Sequence, residues 1–590
     1  MKKKLILTAL LALSAVVSLR GQGSITQTIQ VTNSYEAEAP AVAKQDLPMA
    51  LPDSLLRFDL DYNYTVFDNP YKGSYEFKPY LIGIRPEVPA SKGRLYVKAG
   101  AGYELRPLLD VVWAPRSRYD LQVTARHQSY YGNYKYFALN PATSGGGRFE
   151  ARKDSWRGRD MVNGLTASAA TGGDDWALRL SGSLDMISAK DESVSRNLYS
   201  GSLKTSIGGT DSEAPFFWQA AVGYRYTRDE MSLALYGDKA INETDVRFDG
   251  TFGPTVGEGQ KVLVDVAMEI ARNRGGIVDS HVGLMSLRPR YVFERDDWKF
   301  ALGAELSTFI HQDNTPQLYG LPAGTGLLHD TRWYLPVPVA SVSYALIDDA
   351  LEPYVLVTGG SSVNTWSSLV AGNHFRQPNQ VSNTQGFMDN SFETLRAVLG
   401  FRGRILHRFA YDLSGGYSSM HNALADGINT VALAPAAYTA TVYNTMMSPA
   451  YAYADGESYF ADFKYSLMAG SFESGGQLSF RNVHYSDWGA GDVRFLAPGH
   501  FSGHVTAGYA WRGRIHAGVS CLFETARKTR GDIDLRVPGW VDLGIDASYV
   551  FTPHLSFWLR GGNLLCQPVQ RVLLHAETAP SVQAGVVFKL

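Results

Sequence analysis

Apolar and polar residues alternate one for one along most of the chain. From Val541, the residues Val541, Leu543, Ile545, Ala547 and Tyr549 interleave with Asp542, Gly544, Asp546 and Ser548. Successive side chains of a strand point to opposite faces, so this stretch has one apolar and one wet face. Leu555, Phe557 and Leu559 alternate with Ser556 and Arg560, with Trp558 on the wet side, and Val582, Ala584, Val586, Phe588 and Leu590 alternate with Gln583, Gly585 and Lys589. The period recurs at Val262–Ile270 around Asp265 and Glu269, at Phe409–Tyr417 around Asp412, at Tyr459–Leu467 around Asp462 and Lys464, and at Ile515–Phe523 around His516 and Ser520. Apolar strand faces with charges on the other side are expected where one face meets lipid and the other a watery lumen. Cys521 falls on the apolar face and reads as a small hydrophobe.

Connections alternate in length. Tight turns lie at Pro115–Arg118, Gly172–Asp175, Arg295–Asp297, Ile347–Asp349, Arg512–Arg514 and Thr552–His554. Long polar stretches lie near 132–159, 312–332, 363–390, 420–456 and 563–580. Short periplasmic turns and long outer loops are the habit of outer-membrane barrels, and the strands from Leu95 onward number about 22. The weakest assignments are Leu109–Ala114 and Leu335–Gly360, where Pro336, Pro338 and Pro353 interrupt the pattern. A secreted sandwich or propeller also has alternating strands. Aromatics near strand ends (Tyr509 and Trp511, Trp333 and Tyr334) favour the barrel, as interfacial girdles. The expected fold class is all-β, an antiparallel transmembrane barrel in the outer membrane.

Composition narrows this further. The chain has 590 residues, 55 Lys+Arg against 57 Asp+Glu, and a formal charge of −2. That balance argues against a nucleic-acid binder, and 12% aromatic residues argue against disorder. Two cysteines, Cys521 and Cys566, cannot staple a disulfide scaffold of this length. Met1-Lys2-Lys3-Lys4 followed by the apolar Leu5–Leu19 reads as a secretory signal peptide over 1–21. No cysteine near the cut could be acylated, and no later apolar run is long enough for a membrane helix. The expected organisation is a signal peptide over 1–21, an N-terminal periplasmic or lumen-filling segment over 22–93, and a barrel over 94–590.

The last two strands carry a family resemblance. Leu555–Leu565 resembles the penultimate strand and following loop of TonB-dependent receptors, and Ser581–Leu590 resembles their closing strand. That resemblance implies a 22-stranded barrel and, at Phe588 and Leu590, the C-terminal signal read by the outer-membrane insertion machinery. Such receptors carry a plug of well over a hundred residues. Residues 22–93 are too few for one and hold Pro40, Pro48, Pro52, Pro70, Pro79, Pro86 and Pro89 instead. The chain therefore resembles a plugless branch of Bacteroidetes type. Thr28, Ile29, Gln30, Val31 and Thr32 loosely resemble the short segment that TonB pairs with as an added strand, but five such residues arise often by chance and a plain linker strand is the leading reading.

No His-Glu-x-x-His, Gly-x-Ser-x-Gly, P-loop or zinc-spaced cysteine pair occurs, so neither enzymatic activity nor a cofactor or metal is expected. His484 and His500 stand isolated. Asp265, Glu269, Asp412, Asp462, Lys464, His504, His516, Glu524, Asp542, Asp546 and Arg560 read as a solvated lumen wall. A lumen of about 22 strands needs something to narrow it, and residues around 55–90 and the long loops are the candidates. Two functions stay open. One is solute uptake or transport across the outer membrane. The other is a non-transporting subunit of an outer-membrane assembly or secretion complex. The expected partners are outer-membrane lipid, the insertion machinery, and TonB or other outer-membrane proteins.

Overall fold

The computed structural model describes residues 95–590 apart from 116–118, 142–145, 192–193, 212–213, 234–236, 276–277, 296, 314–327, 377–386, 430–448, 491–492 and 530–533. The signal peptide, the segment 22–93 and the TonB-box-like Thr28–Thr32 lie outside the described residues.

Twenty-two strands form the wall. They are β1 (Leu95–Tyr103), β2 (Leu108–Trp113), β3 (Gln122–Pro141), β4 (Gly146–Gly172), β5 (Trp176–Lys190), β6 (Val194–Gly209), β7 (Phe216–Leu233), β8 (Gly237–Gly257), β9 (Gln260–Gly275), β10 (Val278–Arg295) and β11 (Trp298–Asp313). There follow β12 (Leu328–Tyr344), β13 (Glu352–Val363), β14 (Asn390–Ile405), β15 (Phe409–Asn429), β16 (Pro449–Ala469), β17 (Phe472–Tyr485), β18 (Phe501–Trp511), β19 (Ile515–Glu524), β20 (Trp540–Thr552), β21 (Leu555–Gly562) and β22 (Ser581–Lys589). Each pairs antiparallel with its neighbours in the chain. The sheet closes where β1 pairs with β22, from Tyr96 opposite Lys589 to Tyr103 opposite Val582. Closure removes the free edges that a bilayer would penalise.

The two faces follow the alternation. Leu184, Leu302, Leu399, Val519 and Ile545 project outward and are exposed, as a lipid face requires. Most charged positions of these strands point inward and the buried ones are paired, because a buried charge without a partner is costly. On β9, Asp265 accepts from Arg290 Nε at 2.6 Å, and Glu269 lies within ion-pair reach of Arg247. Trp558, the exception on the wet face, lies flat inside the wall over Gly100, where a Cβ would come within 2.3 Å of its ring. It packs with Tyr96, Leu108 and Val587. Gly100 thus makes room for an inward tryptophan beside the closing strand pair.

The tight turns expected at Gly172–Asp175, Ile347–Asp349, Arg512–Arg514 and Thr552–His554 share one rim with the start of β1 and the end of β22, while the longest connections lie at the other, so the first is the periplasmic rim. Exposed Trp113, Trp176, Trp298, Tyr509 and Trp511 ring it. Trp333 faces lipid near the other rim and is 78% exposed, whereas Tyr334 turns inward and stacks on Phe392 at 3.9 Å. Phe588 faces outward on β22, and Leu590 exchanges backbone hydrogen bonds with Leu95.

Two stretches expected as loops in part continue the strands. Residues 132–159 are mostly β3 and β4, and 420–429 and 449–456 belong to β15 and β16. Their hairpins rise past the 9–11 residues a membrane strand needs, because continuing the ladder satisfies backbone groups that a loop would leave open. β2, β12 and β13 form despite their weak patterns. The ladder between β12 and β13 nevertheless holds only Ala340–Ser343 opposite Tyr354–Val357.

Candidate functional site

The feature with chemistry is the lumen and what closes it. The connection from β13 to β14 begins with Asn364-Thr365-Trp366-Ser367-Ser368-Leu369-Val370. Thr365 is an N-cap, its hydroxyl accepting from Ser368 N–H, and a short helix α1 (Trp366–Gly372) follows. Trp366, Leu369 and Val370 stand at i, i+3 and i+4, so they share one face, and all three are buried. Trp366 is fully buried and sits 5.3 Å from the Phe387 ring and 6.3 Å from that of Tyr451.

Wall carboxylates hold this segment inside the barrel. Glu243 of β8 accepts from the backbone N–H groups of Trp366 and Ser367 at 2.5 and 3.2 Å, which satisfies donors a helix start leaves open. Asp229 of β7 accepts from Trp366 Nε1 at 2.8 Å and from Arg196 Nε at 3.0 Å. Arg196 and Asp229 are both inaccessible to solvent. The Arg196 guanidinium also donates to the carbonyls of His374 and Arg376, at 2.7 and 2.6 Å. His374 pairs with Asp160 at 2.6 Å, Arg376 with Asp426, and the Phe387 N–H donates to Asp313. Arg332 grips Asp389, whose N–H donates to the Tyr453 hydroxyl at 2.9 Å. A buried pair is strongly destabilised when one partner is removed, by about 3–5 kcal/mol, so these contacts fix the segment firmly.

A second arm meets the first. In the β21–β22 connection, Asn563 N–H donates to Asp542 at 2.7 Å, and Arg571 bridges Asp542 and Glu577. Arg106 also pairs with Glu577, at 2.6 Å. His575 lies 2.8 Å from Asp191 and stacks on Phe375 of the first arm, with ring centroids 4.0 Å apart. Leu496, Leu535 and Val537, from the two connections before β18 and β20, pack with Phe149 and Ile428 into an apolar cluster beside these arms. The four connections together form a cap across the outer mouth.

Inside the barrel lies a cavity of about 1360 Å³. Asp412, Asp462, Lys464, His504, His516, Glu524, Asp542, Asp546 and Arg560 line it, so nine positions assigned to the lumen from the alternation share one space. Asp265 and Glu269 also face inward but are buried in ion pairs. Most lining charges are matched: Arg481 pairs with Asp462, and His516 lies 2.8 Å from Glu473 and 3.5 Å from Asp546. No group of three or more metal-ligating side chains is found among the described residues. His500 rests against the Arg481 carbonyl, and His484 packs near Trp488. Such a lumen offers a space with charges of both signs on its walls, bordered on the outer side by α1 and Asn373–Arg376.

The cap residues Trp366, Arg196, Asp229 and Glu243 were not legible as a site. Only the capping threonine ahead of a 366/369/370 apolar triplet, inside a long polar connection, hinted that this connection folds.

No family model matches the sequence, and no curated protein matches it. Solved structures do. The copper transporter OprC shares 13% identity and a TM-score of 0.59, over 84% of this chain and 80% of its own. The FrpB iron transporter from Neisseria meningitidis shares 10% identity and a TM-score of 0.58, over 84% and 81%. The ferric-catecholate import receptor Fiu from E. coli K12 shares 10% identity and a TM-score of 0.56, over 84% and 81%. At these identities the likeness is one of fold. By its fold this chain is a closed, 22-stranded antiparallel β-barrel like the barrels of these structures.

Proposed function

We propose that this protein carries a solute across the outer membrane, its passage gated by the folded cap and not by a full plug domain. The observation that carries this is a cavity of about 1360 Å³ inside a closed wall, bordered on the outer side by α1 and the residues that follow it. The solved barrels of like fold are named as copper and iron transporters and a siderophore receptor, which supports transport as the general class. The wall begins at Leu95 on the periplasmic rim, and the role proposed for residues 22–93 is to enter the lumen or cover its inner mouth. This is the reading in which the chain belongs to a plugless, Bacteroidetes-type branch. In planar bilayers, replacing residues 365–388 by a short Gly-Ser linker should produce a large, steady conductance. A barrel that stays closed would overturn the proposal. Deleting residues 24–90 should raise conductance separately, and a TonB pull-down lost on deleting Thr28–Thr32 would support energy coupling.

The depth at which Arg196 and Asp229 are buried favours one other reading. A cap fixed this firmly also suits a barrel that never opens and serves as a subunit of an outer-membrane assembly. Stoichiometric co-purification with other outer-membrane proteins, without solute-dependent growth, would select it.

A further inference from the structure

One hydrogen-bonded set lies on the outside of the wall. On β3 the side chains of Arg126, Gln128 and Tyr130 turn into the lumen, so His127 and Ser129 turn the other way. The register agrees. His127 stands between Leu109 of β2 and Asn163 of β4, and Leu109 and Leu165, the next outward residue of β4, are exposed. His127 Nδ1 lies 2.6 Å from Asn163 Oδ1, and its Nε2 lies 3.2 Å from Ser129 Oγ. An amide oxygen only accepts, so Nδ1 carries the proton and Nε2 is left as a base facing the hydroxyl. This is the chain of nucleophile, base and orienting group found in serine hydrolases, whose third member can be an amide in related triads. Linear motifs miss it, because Asn163 is 36 residues from His127 and meets it only across the β3–β4 ladder.

Depth and surroundings name the substrate. The N–H groups of Ser129 and Tyr131 donate to the carbonyls of Pro107 and Leu105 in the β1–β2 turn, which is the outer edge of the wall at this point. Ser129 therefore stands at the outer boundary of the hydrocarbon, where the ester groups of membrane lipids lie. Below it the outward face is apolar, with Leu109, Ala125 and Leu165. Above it stand cations: Arg159 of β4, opposite Tyr131, and Lys190 of β5, opposite Arg159. Arg159 is one diagonal step from Ser129, about 7–8 Å between backbones, which a long side chain spans. Its Nε is buried with no hydrogen-bond partner among the described residues, and Lys190 is exposed.

We propose that Ser129, His127 and Asn163 form an esterase site on the lipid-facing wall that cleaves an acyl ester of a phosphorylated membrane lipid, an activity separate from transport through the lumen. Ser129 Oγ attacks the ester carbonyl while its proton passes to His127 Nε2. Arg159 faces the oxyanion, and His127 gives the proton to the departing lysolipid oxygen. Water then attacks the acyl-serine as His127 takes its proton, releasing a fatty acid, and the proton returns to Ser129. Asn163 is a positioning residue that holds the imidazole in the required tautomer, and Lys190 binds the lipid phosphate. Ser129 shows 4% of its surface, so the ester enters by displacing the flexible Met161 side chain directly opposite it.

The test uses the full-length protein, produced in a host lacking its own outer-membrane phospholipase and reconstituted in phosphatidylethanolamine–phosphatidylglycerol vesicles, with or without lipopolysaccharide. Fatty acid released from the phospholipid alone assigns a glycerophospholipid substrate, and fatty acid released only when lipopolysaccharide is present assigns its lipid A. A fluorophosphonate should form one adduct, on Ser129, read by mass spectrometry. Ser129→Ala and His127→Ala should each abolish the adduct and lower release by at least about a thousandfold. Asn163→Ala should lower kcat by about a hundredfold with KM little changed, and Asn163→Asp, which keeps an acceptor against Nδ1, should restore it. Heat-modifiable migration on gels verifies that each variant is folded. Neither release nor adduct with the folded parent protein, or release that survives Ser129→Ala, would each overturn the inference.

Discussion

Trp366→Ala is the most direct probe of the cap. Trp366 has no solvent exposure, lies against Phe387 and Tyr451, and donates to Asp229 at 2.8 Å. Truncating a buried tryptophan costs about 3–5 kcal/mol. Loss of the hydrogen bond to an ionised acceptor belongs to that total, at about 1.5–3 kcal/mol. The wall strands lose no ladder contact, so the cost falls on the docking of α1 rather than on the barrel. With about 1.4 kcal/mol per factor of ten, the open fraction of the cap should rise roughly a thousandfold, as a local opening distinct from global unfolding. Hydrogen exchange of residues 364–376 should accelerate by that order, while β18–β20 amides stay protected. Planar-bilayer recordings should show open events rare in the parent protein. Trp366→Phe keeps most of the packing and should fall between. If Trp366→Ala left both exchange and conductance unchanged in a folded barrel, the cap would not be held as argued.

Removing one partner of the buried Arg196–Asp229 pair, as in Asp229→Asn or Arg196→Met, should loosen the cap by about 3–5 kcal/mol, measured by the same exchange. The double variant Arg196→Met/Asp229→Leu should recover much of that loss, since no lone charge remains. On the lipid face, Val519→Arg should destabilise the barrel by about 2–4 kcal/mol in urea titrations from bilayers, whereas its lumen neighbour Ser520→Arg should cost far less. Gly400 lies under the Tyr354 ring, which a Cβ would approach to 2.3 Å. Gly400→Ala should therefore cost about 1–3 kcal/mol, and Tyr354→Ser should relieve it in a double-mutant cycle. Phe588→Ala should slow membrane assembly in a folding assay if the closing strand carries the insertion signal.

The one-for-one alternation of apolar and polar residues fixed a great deal by itself. A period of two assigns each side chain to a face without knowledge of its neighbours. Val541, Leu543 and Ile545 could therefore be placed on the lipid face, and Asp542 and Asp546 on the lumen face, from spacing alone. The strand number followed from the spacing of turns, and the periplasmic rim from which turns are short. What closes the barrel was not written locally. Arg196 and Asp229 lie in separate strands, and their partners His374, Arg376 and Trp366 are more than a hundred residues further on. Only closure of the wall brings wall carboxylates and connecting segment together. The same holds for the short ladder between β12 and β13. Pro336 and Pro338 were visible as flaws in a strand, but that the Ser361 N–H of β13 donates to Glu305, one strand beyond its neighbour, is a property of the closed sheet. Periodicity is local and legible, whereas the pairing of inward charges depends on which strands the barrel sets face to face.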